Sequence, residues 1–182
     1  MRRTLIAGLL GVALLASGRA ARAGDTSLGI EAGYVDPKAM ESTVYFAGDF
    51  RFHLSKSFAL APNLSFWKKS PKILGVTVSV GDFHFGANAL WVIHAGRSIE
   101  IYAGAGGGFH HVSGDLVIRG GSAISGAVTK PGLDVLGGID FRAGRSLSFF
   151  ITARYDWILD LGGKDPSRLD QTKFGGGFRL RF

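Results

Sequence analysis

Eight stretches of this chain alternate apolar and polar residues with a period of two, and this alternation limits the possible folds more than any other feature. The stretches cover residues 26–35, 43–54, 57–67, 76–92, 98–112, 132–142, 147–157 and 173–182. Successive side chains of a strand point to opposite faces of a sheet, so a period of two predicts β-strands. Of the 28 glycines, 15 are scattered within these stretches, where they would be costly in helices. The sequence therefore predicts an all-β fold.

The connections between the eight stretches alternate in length. Short Gly/Ser-containing turns join the second stretch to the third, the fourth to the fifth and the sixth to the seventh. Longer connections cover residues 36–42, 68–75, 113–131 and 158–170. An even number of strands with short turns at one end and longer loops at the other is typical of membrane barrels. The pattern predicts an eight-stranded antiparallel up-and-down transmembrane β-barrel.

The two faces of these strands differ in a way that indicates which face is outside. The apolar faces carry more large aromatic side chains than an eight-stranded interior can hold. The opposite faces carry six acids and six bases: Glu31, Asp49, Glu100, Asp134, Asp140 and Asp156, with Arg51, Arg142, Arg154, Lys173, Arg179 and Arg181. Balanced charges suit a closed interior, because a buried charge needs a partner. We expect the apolar face to contact lipid; a soluble lipocalin-like barrel with an apolar interior is the alternative.

The interior of an eight-stranded barrel is just wide enough for side chains. We therefore predict a lumen filled by ion pairs rather than an open channel. The expected network places Glu31 and Asp49 near mid-height, facing Arg51, Arg154 and Arg179. A narrow pore or carrier for small or hydrophobic solutes is the alternative, and the many inward charges argue against an apolar lumen.

The first 23 residues have the layout of a secretory signal peptide. Two arginines precede an apolar run from Leu5 to Ala16, and Ala21-Arg22-Ala23 is followed by the expected cleavage point before Gly24. The predicted domains are thus a signal peptide, 1–23, and a barrel, 24–182. Removing four bases and no acid lowers the net charge from +7 to +3, so the basic composition does not indicate a nucleic-acid partner. The chain has no cysteine, which excludes disulfides.

The C-terminal stretch, KFGGGFRLRF, alternates apolar and polar residues and ends on an aromatic residue. It resembles the terminal strand of bacterial outer-membrane proteins, and Gly177, Phe178, Leu180 and Phe182 carry the resemblance. With the signal peptide and the eight stretches, the chain resembles the small eight-stranded outer-membrane barrels of the OmpA/OmpX/OmpW type. The resemblance implies a bacterial outer-membrane location, recognition of those four residues by the barrel-assembly machinery, and a monomeric protein with a non-enzymatic structural or surface-interaction role. Likeness to OmpW implies the solute-passage alternative.

One short motif raises an enzymatic alternative. His111-x-Ser113 is similar to part of the His-x-Ser-Asn pattern of outer-membrane lipid A deacylases, which would imply an esterase. Gly114 stands in place of the Asn. The Glu that follows this motif in those enzymes has no counterpart either, because this chain has no Glu after Glu100. A serine nucleophile needs a base and an acid that orients the base, so the sequence predicts no enzyme. The five histidines lack metal-ligand spacing, and neither a metal nor a cofactor is expected.

One basic cluster lies in a predicted outer loop. Lys68, Lys69 and Lys72 fall within the segment KKSPK. Ammonium groups beside a membrane attract lipid phosphates, so these lysines are predicted to contact lipopolysaccharide and other outer-membrane lipids.

Overall fold

The computed structural model describes residues 26–38, 40–70, 72–73, 76–118, 123–159 and 170–182. The predicted signal peptide lies outside them. The described strands are β1 (Thr26–Pro37), β2 (Thr43–His53), β3 (Phe58–Lys69), β4 (Lys72–Ile73), β5 (Val76–Ala95), β6 (Ile99–Ile118), β7 (Ala123–Arg142), β8 (Leu147–Ile158) and β9 (Gln171–Arg181). Within these residues, no helix is long and apolar enough to cross a membrane.

Eight of the strands close into an antiparallel barrel. Their order is β3-β2-β1-β9-β8-β7-β6-β5, and pairing of β3 with β5 completes the circle. The first and last strands are neighbours, from Ser27 opposite Arg181 to Pro37 opposite Gln171. The two-residue strand β4 pairs only with the start of β5 and is not part of the circle. This topology confirms the predicted eight-stranded up-and-down barrel.

The two ends of the barrel differ, as the connections predict. The turn end carries the segments 54–57, 96–98 and 143–146 together with both ends of the described barrel. Gly96 has φ of 81°, a left-handed conformation that glycine adopts without strain in such a tight turn. The opposite end, here called the loop end, carries the longer connections.

The strands β5, β6 and β7 are longer than the sequence predicts. Residues 113–131 were expected to be a connection, but β6 continues to Ile118 and β7 begins at Ala123. These outer parts pair with each other, for example Ser113 with Ala127. The alternation is weak there because small and hydroxyl residues separate the few large apolar ones, such as Ile124 and Val128, although backbone pairing continues.

The barrel is apolar outside and charged inside. Ile30 is 62% exposed and Phe46 61%, whereas Arg179 is 1% exposed and Asp140 is fully buried. Two small apolar clusters interrupt the polar interior, one around Leu90 and one around Trp67. A soluble barrel with an apolar interior does not fit this arrangement.

Candidate functional site

The candidate site is the charged lumen, and one of its ion-pair clusters surrounds Arg179. The Arg179 guanidinium donates to both oxygens of Asp49, at 2.6 and 3.1 Å, and its Nε donates to Asp140 at 3.0 Å. The ring of Phe150 lies 4.7 Å from the guanidinium carbon. Arg51 donates to the same oxygen of Asp140 at 3.4 Å, and its guanidinium lies over the Tyr102 ring, 4.3 Å from the ring centre. Both arginines are therefore neutralised and packed.

A second cluster lies nearer the turn end and is built on Glu100. Its carboxylate accepts hydrogen bonds from Arg142 and from Arg181, the latter through Nη1 at 3.0 Å. His94 Nε2 lies 3.0 Å from the same carboxylate. Arg181 also reaches Asp140 at 3.4 Å, which links this cluster to the one around Arg179. The lumen at the turn end is thus closed by a continuous network of charged side chains.

Near mid-height the polar side chains surround a small cavity. Arg154 donates to Asn63 at 3.0 Å and to Asn88 at 2.8 Å, and its Nε lies 3.7 Å from Asp134. Glu31 accepts a hydrogen bond from the Tyr45 hydroxyl. The cavity between these groups has a volume of about 40 Å³. One water needs roughly 10–15 Å³ by this measure, so there is space for a few waters.

A third cluster lies towards the loop end. Lys173 pairs with Asp156 at 2.7 Å and donates to Ser65 at 3.0 Å. Beside it, Asp82 contacts His110 and accepts from Gln171, both at 2.8 Å.

Two further side chains complete this outer cluster. Gln171 accepts a hydrogen bond from the Trp67 indole at 2.7 Å, and the rings of His84 and His110 lie with their centres 4.5 Å apart, tilted by 32°. Polar clusters therefore occur along the lumen from the turn end to the loop end, beside the two apolar clusters around Leu90 and Trp67.

The structure groups the residues of the predicted network differently from the prediction. Asp49 and Arg179 are paired, and Asp140 connects Arg51 to them. Glu31 bonds to Tyr45, and Arg154 bonds to asparagines and approaches Asp134; both line the cavity. All twelve charged residues predicted to face inward lie in the lumen or at its turn-end rim.

Sequence reasoning missed several lumen residues. Asp82 lies on the same face of β5 as His84 and Asn88, and all three are buried. The signal was present, because Asp82 lies inside the predicted stretch 76–92 and alternates with residues 84 and 88. Gln171 was missed because β9 begins two residues before the predicted strand.

Glycines in the barrel wall make room for these polar side chains. A Cβ on Gly29 would overlap the Asp49 carboxylate and lie 3.2 Å from Arg179 Nη1. A Cβ on Gly175 would likewise overlap the Tyr45 hydroxyl and the Glu31 carboxylate. The ion pair between Asp49 and Arg179 thus passes over Gly29. The hydrogen bond between Tyr45 and Glu31 passes over Gly175.

Replacing Gly29 with alanine should destabilise the barrel by about 1–3 kcal/mol, because the added methyl group forces the ion pair apart. Gly126→Ala is the matched control, since a Cβ at that strand position meets nothing within 4 Å. Urea unfolding of the two variants in lipid vesicles measures the difference. Equal midpoints would contradict the role assigned to Gly29.

The three lysines of the basic cluster lie in different surroundings. Lys68 is exposed on the outer face of β3, two positions beyond Phe66. Lys69 donates to Glu41 at 2.9 Å, and this hydrogen bond lowers the pKa of the Glu41 carboxyl. Lys72 lies in β4, and its side chain is outside the described residues.

The residues of the esterase alternative lie on the outer surface of β6. His111 Nδ1 is 3.0 Å from the Thr129 hydroxyl. No carboxylate is among the hydrogen-bond partners of His111 in the described part of the chain, so the orienting acid of a serine esterase is missing there. The buried neighbour His110 points to the opposite face. No group of three or more potential metal ligands comes together among the described residues.

The closed antiparallel barrel with an apolar outer face and a charged, packed lumen is the fold of the small outer-membrane barrels of the OmpA/OmpX/OmpW type. No protein-family model and no curated protein sequence matches this chain. Its similarity is to solved structures.

Three such structures show the extent of the similarity. Neisserial surface protein A is 18% identical, with a TM-score of 0.65, over 89% of this chain and 100% of that chain. OprG from Pseudomonas aeruginosa is 11% identical, with a TM-score of 0.62, over 88% of this chain and 96% of that chain. Ail from Yersinia pestis, solved with the heparin analogue sucrose octasulfate, is 12% identical, with a TM-score of 0.55, over 85% of this chain and 95% of that chain. At these identities the similarity establishes the fold.

Proposed function

We propose that this protein is a non-enzymatic barrel of the bacterial outer membrane, with a structural or surface-interaction role and a lumen closed by its own ion pairs. The observation that carries the proposal is the inverted polarity of the barrel. Large apolar side chains are exposed around the whole circumference, while Arg51, Asp140, Lys173 and Arg179 are buried inside. Such a surface is stable only against lipid, and closure of the barrel leaves no unpaired sheet edge in the hydrocarbon.

The packing of the lumen supports a closed barrel over the pore alternative. Charged clusters lie at three heights in the interior, and each has a contact between strands that are not neighbours. Arg181 of β9 pairs with Glu100 of β6, Arg179 of β9 pairs with Asp49 of β2, and Lys173 of β9 donates to Ser65 of β3. The mid-height cavity of about 40 Å³ is lined by both polar and apolar side chains, among them Glu31, Arg154 and Leu90. Its volume is far below that of a typical ligand pocket, so it does not suit a hydrophobic solute.

The C-terminal strand supports the proposed route to the membrane. In this proposal the signal peptide, residues 1–23, directs export, and the barrel-assembly machinery recognises Gly177, Phe178, Leu180 and Phe182. The three apolar members of this set are about half exposed on the outer face of β9 or at its end. A partner could therefore contact their side chains without disturbing the lumen.

Expression of the full chain in a Gram-negative host tests the proposal. We expect the protein in the outer-membrane fraction, with different gel mobilities before and after boiling, because the closed hydrogen-bond ladder survives in detergent. Purified protein in a planar bilayer should give no stepwise ionic current. A soluble periplasmic protein without a mobility shift would contradict the membrane location, and a steady current would favour the pore.

The assembly signal has its own test. Replacing Phe182 with serine should reduce the fraction of heat-shifting protein in the outer membrane several-fold, because the terminal aromatic is lost while the lumen is unchanged. Lys56→Gln in the turn after β2 is the control and should assemble normally. Normal assembly of the Phe182 variant would show that the terminal residue is not required.

A further inference from the structure

The outer surface of the barrel changes polarity sharply towards the loop end. Phe66, Phe83, Phe85 and Phe109 form an exposed aromatic patch on β3, β5 and β6. Towards the loop end the same face carries polar side chains: His111 and Thr129 lie in the same row of strand pairings as Phe83, and Lys68, Ser79 and Ser113 lie beyond that row. In a membrane barrel, such a change marks the boundary between acyl chains and headgroups.

A notch lies at this boundary. Lys68 on β3 is opposite Gly81 on β5, and Gly81 is opposite Ser113 on β6, so the three residues form one row across neighbouring strands. Asp82 is buried in the lumen, which places Gly81 on the outer face. A Cβ on Gly81 would lie 3.1 Å from the backbone oxygen of Trp67 and 3.6 Å from both Lys68 Cγ and Ser113 Oγ. Gly81 itself is buried, so the Lys68 and Ser113 side chains come together over it and border a shallow notch, with a lysine on one side and a hydroxyl on the other.

The charge in this notch is unpaired. Among the described residues, Lys68 has no carboxylate within ion-pair distance, whereas its neighbour Lys69 is paired with Glu41. Asp115, the acid on the same face of β6, lies one row further from the membrane than Ser113. An anion held between Lys68 and Ser113 would thus lie on the membrane side of that carboxylate. An ammonium and a hydroxyl both donate hydrogen bonds, which suits a phosphate oxygen.

We propose that Lys68, Gly81 and Ser113 form a binding site for the phosphate of a phosphorylated lipid headgroup in the outer leaflet. The lipid's acyl chains lie along the aromatic patch, directly below the notch. The site rests on the proposed membrane location, and it assigns His111-x-Ser113 to headgroup contact rather than to catalysis. Two features together select the ligand: the unpaired lysine requires an anion, and the adjoining aromatic patch requires an apolar chain.

Binding of defined lipids to the folded barrel tests this site. The barrel is placed in nanodiscs of zwitterionic phosphatidylcholine, and bis-phosphorylated lipid A or its dephosphorylated form is titrated in, with bound lipid counted by native mass spectrometry. We expect the phosphorylated form to bind about tenfold more tightly, a difference of about 1.4 kcal/mol. Millimolar inorganic phosphate should compete poorly, because it lacks acyl chains. Efficient competition would instead indicate a free-phosphate site and overturn the lipid assignment.

Variants locate the site. Lys68→Gln should remove most of the preference for the phosphorylated lipid. Ser113→Ala should reduce the preference, and so should Gly81→Ala, which fills the notch. Lys56→Gln removes the same charge at the opposite end of the barrel and should bind normally. Equal losses from Lys68→Gln and Lys56→Gln would show non-specific charge attraction and would overturn the proposal.

The heat-dependent gel shift of every variant separates this proposal from the proposed function. Variants that keep the shift are folded, so a loss of lipid preference in them reports on the notch. A wild-type barrel that shifts but does not distinguish the two lipids would overturn the lipid site and leave the proposed function intact. A wild-type protein that stays soluble and shows no shift would overturn both.

Discussion

Replacing Arg179 with methionine is expected to lower the free energy of unfolding of the barrel by about 3–5 kcal/mol. Methionine keeps much of the volume but cannot donate hydrogen bonds. Asp49 would lose both of its bonds to the guanidinium, and Asp140 would keep only its longer contacts to Arg51 and Arg181. An unpaired carboxylate in a closed lumen is costly because it has lost its hydration without gaining a partner.

Urea unfolding in lipid vesicles, followed by the heat-dependent gel shift, measures this loss. Arg97→Met, in the exposed turn 96–98, is the matched control and should change stability by less than about 0.5 kcal/mol. Adding Asp49→Asn to Arg179→Met should recover part of the loss, because the unpaired charge is then removed. If the stability lost in the double variant equals the sum of the losses in Arg179→Met and Asp49→Asn alone, the two residues act independently and the ion pair has no net effect.

Replacing Ile30 with arginine is expected to destabilise the barrel in a bilayer by about 2–4 kcal/mol. Ile30 lies near mid-height of the outer surface and is 62% exposed, so its substitution changes no packing in the lumen. The cost arises because the guanidinium must enter hydrocarbon. In a barrel whose outer face met water, the same change would have little effect.

The matched control places the same charge beyond the aromatic patch. Ser125 is exposed in the outer part of β7, and Ser125→Arg should cost at most about 1 kcal/mol. The two variants are compared by urea unfolding in vesicles. Similar stabilities would contradict the membrane orientation, since the penalty of a charge depends on its depth in the bilayer.

The sequence predicts the barrel well because alternation is a local property. Whether a residue faces lipid or lumen depends only on its position in its own strand, so Ile30 and Arg179 can be assigned to opposite faces without knowing their neighbours. The outer parts of β6 and β7 were harder to predict. Around Ser113 and Ala127 the side chains are small, and the strands persist through backbone pairing that leaves little trace in hydropathy.

The partners inside the lumen depend on properties that no single strand contains. Strand tilt and stagger decide which side chains meet across a barrel. They bring Asp140 between Arg51 and Arg179, and they place Glu31 beside Tyr45 instead of an arginine. Register also decides that Lys68 and Ser113 border Gly81, while Lys69 is paired with Glu41.

The sequence by itself therefore determined the number of barrel strands and the polarity of their faces, because these follow from the period of two. Only the tertiary structure decided which charges pair and where a lysine stays unpaired, because those contacts require strands distant in sequence to be brought together.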